Sequence, residues 1–341
     1  MNRTLRRSTR IAGIGMLTIA CLFAIGITAT GNWTIVLGPR MRSLSNVRFD
    51  PTRARLERGK YLAEGVLGCF DCHSQRDWTM DGAPVIQATR GGGAVFPDAG
   101  APGRIVAPNI SPDTETGAGT WTDDMFARAI REGISHDGRT LFPIMPYQGF
   151  SKLSDEDLAS VIVYVRSIPP VRNQLPKTEI PFPVNLLIRD APRPITSPVP
   201  APDLPDQVQR GAYMAQLAGC AQCHTPSVKG KPIAGLELAG GSRFEGPWGE
   251  VSSANLTPDP SGIPYYDEAM FLKAIRTGHV GARKLSPVMP WQVYKNMNDQ
   301  DLKSIFAYLK TLAPVTHRVD NAEPPTFCRR CNSTHGLGVL N

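Results

Sequence analysis

Cys69-Phe70-Asp71-Cys72-His73 and Cys220-Ala221-Gln222-Cys223-His224 each set two thiols about one helical turn apart with an imidazole directly after them. Thiols at that spacing can add to the two vinyl groups of a haem, and the adjacent histidine is then held beneath the iron as proximal ligand. Two other chemistries use the same residue types. A thioredoxin-like redox pair needs a βαβ context, and nothing near either motif reads as a parallel strand. A zinc site needs four ligands, and each motif supplies three locally. The motifs therefore predict two covalently bound haem c groups, held by Cys69, Cys72 and His73 and by Cys220, Cys223 and His224.

The neighbourhoods of the two motifs repeat. Arg58-Gly59-Lys60-Tyr61 precedes the first motif and Arg210-Gly211-Ala212-Tyr213 the second. Asn109 to Asp113 matches Asn255 to Asp259, Phe126 to Arg131 matches Phe271 to Arg276, and Ser154 to Leu158 matches Asn298 to Leu302. Two copies of one domain are expected, with one fold and one type of site. The repeat also selects the second axial ligand. Met145 and Met289 occupy equivalent places in Pro-x-Met-Pro, where flanking prolines stiffen the loop around a thioether. The iron ligands are thus predicted as His73 with Met145 and His224 with Met289. Met125 and Met270 also match, but they fall in a helical pattern and read as core. His136 and His279 do not align and read as loop residues, and His317, beyond the last helix, as solvated.

The elements that must position these residues read as helices. Ser154 and Asn298 are N-cap candidates. After them Leu158, Val161, Ile162 and Val165, and Leu302, Ile305, Phe306 and Leu309, follow the i, i+3, i+4, i+7 period of a core-facing helix, stopped by Pro169 and Pro314. Further helices are expected from about Asp123 to Glu132 and from about Asp267 to Thr277, each closed by a glycine. No hairpin of convincing alternation is found. Gly/Pro-rich stretches such as Gly91 to Pro108 read as loops over a haem edge. From Pro169 to Asp206, 11 of 38 residues are proline, which predicts an extended, semi-rigid linker whose patch Phe182 to Ile188 packs on one domain.

Four of the seven excess positive charges sit in the first ten residues, so the remainder is too weakly basic to argue for nucleic acid. The following uncharged run, 11–38, has the length of a membrane-spanning helix, with the basic end on the cytoplasmic side. A cleaved signal peptide is the rival reading. Either way the body of the chain is expected in the periplasm, on the bacterial inner membrane. Hydrophobic residues at 41% and charged residues at 20% fit globular domains behind that segment, not a multi-span protein. Cys21 lies inside the run and reads as a small apolar residue. The third pair, Cys328-Arg329-Arg330-Cys331-Asn332, lacks the following histidine. A disulfide is its first reading. Metal binding with His335 or a partner's ligands comes second, and an unconventional haem last.

Each half resembles a class I cytochrome c domain, with a motif helix, a loop methionine and a terminal helix whose central tyrosine is Tyr164 or Tyr308; Gly59/Tyr61 and Gly211/Tyr213 resemble the first-helix residues it crosses. The whole chain resembles membrane-bound di-haem cytochromes and, more loosely, the cytochrome c subunits of quinoprotein alcohol dehydrogenases, which carry three such motifs where this chain has two. The resemblance covers about residues 55–315 and implies an all-α fold of two cytochrome domains, 55–168 and 207–315; the residues themselves add a basic segment 1–10, a transmembrane anchor or signal peptide 11–38, the linker 169–206 and a tail 316–341. It also implies His/Met iron and single-electron relay in a respiratory or dehydrogenase chain, without a catalytic residue. Expected partners are a dehydrogenase, a quinol-oxidising complex, a soluble cytochrome or a terminal oxidase, met through small steered interfaces. The loops with Arg90, Arg104 and Arg243 are candidates for haem propionates or plain solvated surface. The rival is a di-haem peroxidase or sulfur-compound dehydrogenase, in which one haem opens a coordination site.

Overall fold

A computed structural model describes residues 14–18, 21, 26, 28, 33–96, 102–228 and 230–336. Each half is built on one crossing of two helices. In the first, α1 (Arg53–Tyr61), continued by a wider π turn over Leu62–Val66, leads into α2 (Cys69–Cys72). Then follow α3 (Asp123–Glu132), the short α4 (Tyr147–Phe150) and α5 (Asp155–Ser167). The second half repeats this order as α6 (Gln207–Leu217), α7 (Cys220–His224), α8 (Glu268–Thr277), α9 (Trp291–Tyr294) and α10 (Asp299–Lys310).

Local chemistry sets the ends. The side chains of Ser154 and Asn298 accept from the amides of Asp157 and Asp301, satisfying first-turn donors of α5 and α10. Gly133 and Gly278 close α3 and α8 at φ +77 and +71, the left-handed region where glycine avoids Cβ strain. The apolar stripes of α5 and α10 are buried, with Val161 and Ile162 fully so.

The crossing of α1 on α5 and of α6 on α10 leaves no room for side chains at its centre. A Cβ added to Gly59 would overlap the Ser160 carbonyl oxygen, and one added to Gly211 would overlap that of Ser304. The halves then pack by matching surfaces. Gly65 of the π turn lies against the backbone of Asn296, just past α9, and Gly149 of α4 against Gln216 of α6. Each first-helix arginine pairs within its own half, Arg58 with Asp157 at 2.7 Å and Arg210 with Asp301 at 2.5 Å. The Tyr61 hydroxyl reaches across to donate to the Asp301 carboxylate.

Two expectations about the architecture are corrected. The fold is not all-α: helix takes up 36% of the described residues. Ten short strands pair as five two-stranded antiparallel ladders among the described residues. These strands are two to four residues long and sit in glycine-rich loops, too short for alternation to register. Nor does the expected membrane helix hold: no helix among the described residues is long and apolar enough to cross a membrane. Within 11–38 the described residues 14–18, 21, 26 and 28 are helical, and Thr34–Leu37 forms four more helical residues ended by Gly38. The rest of the run lies largely outside the described residues, as does the segment 1–10. Glycines at 13, 15, 26 and 31 lower the run's helix propensity, which a count of apolar residues ignores.

The linker is extended and pinned along the first half, where the Val171 amide donates to Ser111 Oγ (3.0 Å) and the Glu179 amide to the Arg104 carbonyl (2.8 Å). Its patch Phe182 to Ile188 does not enter a domain core: Phe182 and Leu187 are exposed, and Arg189 next to it donates to the Ile35 carbonyl at 2.9 Å. Gly59→Ala or Gly211→Ala should cost about 1–3 kcal/mol by overpacking the crossing, while Lys60→Ala on the exposed side of α1 should stay within about 0.5 kcal/mol. Denaturant unfolding of the purified protein measures both.

Candidate functional site

Gly68 and Gly219, at φ +62 and +72, turn the chain out of the first helix of each half and start the motif helices α2 and α7. His73 caps α2 and His224 ends α7. Nδ1 of His73 lies 2.8 Å from the Pro108 carbonyl oxygen, and Nδ1 of His224 lies 2.7 Å from that of Ala254. A carbonyl can only accept, so Nδ1 carries the proton in both rings and Nε2 is left with its lone pair. Burial pushes both imidazoles below their ordinary value, against the opposing pull of the carbonyls. Neutral rings with a free Nε2 are what metal ligation requires.

Burial also pushes the thiols of Cys69, Cys72 and Cys220 up to about 12 and that of Cys223 up to about 11. Redox pairs of the thioredoxin kind depend on depressed thiol values, so these pairs do not fit that chemistry.

Met145 and Met289 sit in one conformation of loop. The Met145 amide donates to the Phe142 carbonyl (3.1 Å) and the Tyr147 amide returns to the Met145 carbonyl (2.8 Å). At Met289 the partners are Ser286 (2.9 Å) and Trp291 (2.8 Å). Pro146 and Pro290 then cap α4 and α9 with closely matching dihedrals. All eight residues singled out from the sequence line one continuous, mostly apolar cavity of about 1870 Å³ that runs through both halves. Ordinary cofactor and ligand sites take roughly 300–1,000 Å³, so the space suits two large groups rather than one. The loop strands β1 (Ala94–Val95) and β2 (Val106–Ala107) form part of its wall, as expected of that loop.

The wall between the two motifs contains a residue that the repeat does not reveal. Tyr294 of α9 is half-buried on the cavity lining, its hydroxyl donates to the Ala218 carbonyl, and desolvation raises it well above the ordinary phenol value, with Cys220, Cys223, Asp71 and Cys72 nearby. The same ring therefore borders both cysteine pairs. Trp78 and Trp248, one from each half, meet at a centroid distance of 5.2 Å on the cavity lining. The aligned position to Tyr294 is Phe150, so no signal in the repeat marks its hydroxyl.

The arginines divide. Arg90 pairs with Glu64, donates to the Tyr164 hydroxyl at 2.5 Å and lies 4.2 Å above the Phe70 ring, so it is a packing residue. Arg104 pairs with Glu179 at 2.6 Å, away from the cavity lining. Arg243 does line the cavity, with Glu250 at 2.8 Å, and Arg76 joins it there with Asp71 at 3.1 Å. His136 is exposed and stacks on Trp121 at 4.4 Å. His317, expected to be solvated, is buried at 3% exposure.

Residues 208–313 match the family model of cytochrome c. The chain is 29% identical over 307 residues to the fructose dehydrogenase cytochrome subunit of Gluconobacter japonicus, covering 84% of this chain and 59% of that protein. It is 30% identical over 286 residues to the cytochrome c subunit of alcohol dehydrogenase (quinone) of Gluconacetobacter polyoxogenes, 78% of this chain and 58% of the relative. To the diheme cytochrome c-type protein of Cereibacter sphaeroides it is 27% identical over 254 residues, 73% of this chain and 83% of the relative. The chain thus spans about three fifths of the two dehydrogenase subunits. These likenesses show a cytochrome c domain, of the kind that binds haem c covalently, in the second half, and relatives named as cytochrome subunits of dehydrogenases or as a diheme cytochrome c.

Tyr294→Phe leaves the buried Ala218 carbonyl without its donor and should cost about 1–2 kcal/mol. Tyr294→Ala, which opens the wall between the motifs, should cost about 3–5 kcal/mol. Thermal unfolding followed in the far ultraviolet ranks the two.

Proposed function

We propose that the chain is a di-haem electron relay of the periplasm that passes single electrons from a dehydrogenase toward a respiratory acceptor. The observation that carries this reading is the duplication: two motif helices, two carbonyl-oriented histidines and two Pro-x-Met-Pro loops facing one cavity. Cys69 and Cys72 would hold one haem and Cys220 and Cys223 the other, with His73 and Met145, and His224 and Met289, as axial ligands. When bound, the haem iron supplies one-electron chemistry, and a thioether ligand favours its ferrous state.

The chain's own residues do the rest. Pro108 and Ala254 fix the histidine tautomers, so that Nε2 and not Nδ1 is offered to the metal. The proline-framed loops hold each thioether in place, which disfavours an open coordination site and hence substrate chemistry. The mostly apolar lining would keep water from the haems when bound and so limit how much the surroundings must reorganise. Tyr294 and the Trp78/Trp248 pair keep the two motifs close to one another, which suits transfer within the chain. The names of the relatives support a dehydrogenase as donor. The basic leader followed by an apolar run supports export.

Purified from the periplasmic fraction, the protein should show two covalent haems per chain, a methionine-to-iron band in the oxidised state and no reaction with carbon monoxide when reduced. Met145→Ala and Met289→Ala should each open one haem to carbon monoxide and lower that haem's potential. Carbon monoxide binding by the unaltered protein would refute the symmetric His/Met ligation and favour an enzyme.

A further inference from the structure

The third cysteine pair does not stand alone. β9 (Thr326–Cys328) and β10 (Ser333–His335) form a hairpin in which Cys328 ends one strand, Cys331 sits in the turn and His335 ends the other. His317, eleven residues before Cys328, folds back onto them. One ligating atom from each of the four residues lies within 4.8 Å of all the others. Cys328 Sγ is 3.5 Å from His317 Nε2, Cys331 Sγ is 3.2 Å from His335 Nε2, and the two Nε2 atoms are 3.2 Å apart. A tetrahedral centre with metal–sulfur bonds near 2.3 Å and metal–nitrogen bonds near 2.0–2.1 Å has edges of about 3.5 Å from S to N and about 3.3 Å from N to N. The Cys328–His317 and His317–His335 separations fall on those edges, and the Cys331–His335 separation is about 0.3 Å shorter than its edge.

We propose that His317, Cys328, Cys331 and His335 form a structural zinc site. Both thiols are free, and each sulfur faces a histidine nitrogen at the separations given above. His317 Nδ1 donates to the Ala239 carbonyl at 3.0 Å, which assigns its proton and turns Nε2 inward as a ligand. The rings stand nearly perpendicular, 78° apart, as two imidazoles converging on one point can. Three of the four residues are buried, and Gly241 leaves the space that the rings fill: a Cβ there would sit 2.6 Å from His317 Cε1 and 2.7 Å from His335 Cε1. Two thiolates and one divalent cation neutralise each other, so the buried charge is compensated. Four protein ligands leave no open position, which makes the site structural.

What the metal would hold follows from the packing. Leu236, Ala239 and Cys331 are the only buried members of a small core separate from the main one among the described residues. A core of that size is a weak hold for the tail hairpin without a cross-link. The same segment backs the second motif: the Gly240 amide donates to the His224 carbonyl at 2.7 Å, beside the Ala239 carbonyl that takes His317. The zinc site would thus brace the wall behind His224. The proposal does not depend on electron relay, because a zinc count is read independently of redox behaviour.

The test is metal analysis of the full-length haem-loaded protein. One zinc per chain beside the haem iron is expected, falling to about a tenth or less in Cys328→Ser and His335→Ala with the haem count unchanged. Should those variants fail to fold, the unaltered protein grown with cobalt serves instead: intense thiolate-to-cobalt absorption and tetrahedral ligand-field bands support the site. A Cys328–Cys331 disulfide in the intact protein's mass, a third covalent haem, or absence of both zinc and cobalt would overturn it.

Discussion

Everything in each half hangs on a contact made without side chains. Gly59 against the Ser160 carbonyl and Gly211 against the Ser304 carbonyl let the first and last helices meet backbone to backbone. Because the axes come this close, the residues on either side of the glycine are committed. Arg58 and Arg210 fall beside the first-turn carboxylates Asp157 and Asp301, which already sit where the N-terminal end of a helix favours negative charge. The end of the first helix is thereby aimed, and the motif helix follows within a few residues. A close crossing thus fixes where the two cysteines and the histidine of each motif emerge, long before any loop is considered.

The same crossing explains how one chain can place two sites side by side. The faces that meet across the pseudo-twofold relation are the π turn and the two short helices after the methionine loops, elements already fixed by the crossing and by Pro146 and Pro290. Asp301 is held by Arg210 from its own half and by Tyr61 from the other. The symmetry is imperfect at this point: the Tyr213 hydroxyl makes no hydrogen bond, and Phe150 stands where the second half has Tyr294. Duplicated domains that drift in this way keep the common frame and differ at the interface, where the two copies face unequal surroundings.

What could be read beforehand follows the strength of local signals. The two Cys-x-x-Cys-His motifs, the helix caps at Ser154 and Asn298 and the stripes of α5 and α10 are short-range patterns, and the elements they announce lie where the residues put them. The repeat gave the methionine loops because it compares positions and needs no propensity. Small ladders such as β5 (Arg243–Gly246) with β6 (Gly249–Ser252) carry too few residues for a period to register. The apolar run 11–38 shows the opposite fault: length and hydrophobicity alone read it as one spanning helix, whereas its helical positions among the described residues do not make up one continuous span. Tyr294 escaped because its importance lies in touching both motifs, which depends on how the halves pack.

His317 is the instructive case. In sequence it is a lone histidine after the last helix, next to an arginine and an aspartate two residues further on, and such a residue reads as solvated. Its burial arises from the return of the tail, which places β10 against the loop holding Ala239 and closes Cys328, Cys331 and His335 over it. Three donors within eight residues are a local signal, while the fourth is contributed by tertiary structure. Buried nitrogen and sulfur atoms gathered at these separations, with neither a carboxylate nor a lysine among the four, are a costly arrangement unless something positive joins them. The polar character of this tail is therefore best understood through the group it can hold, just as the neutral, carbonyl-tied histidines of the main cavity are.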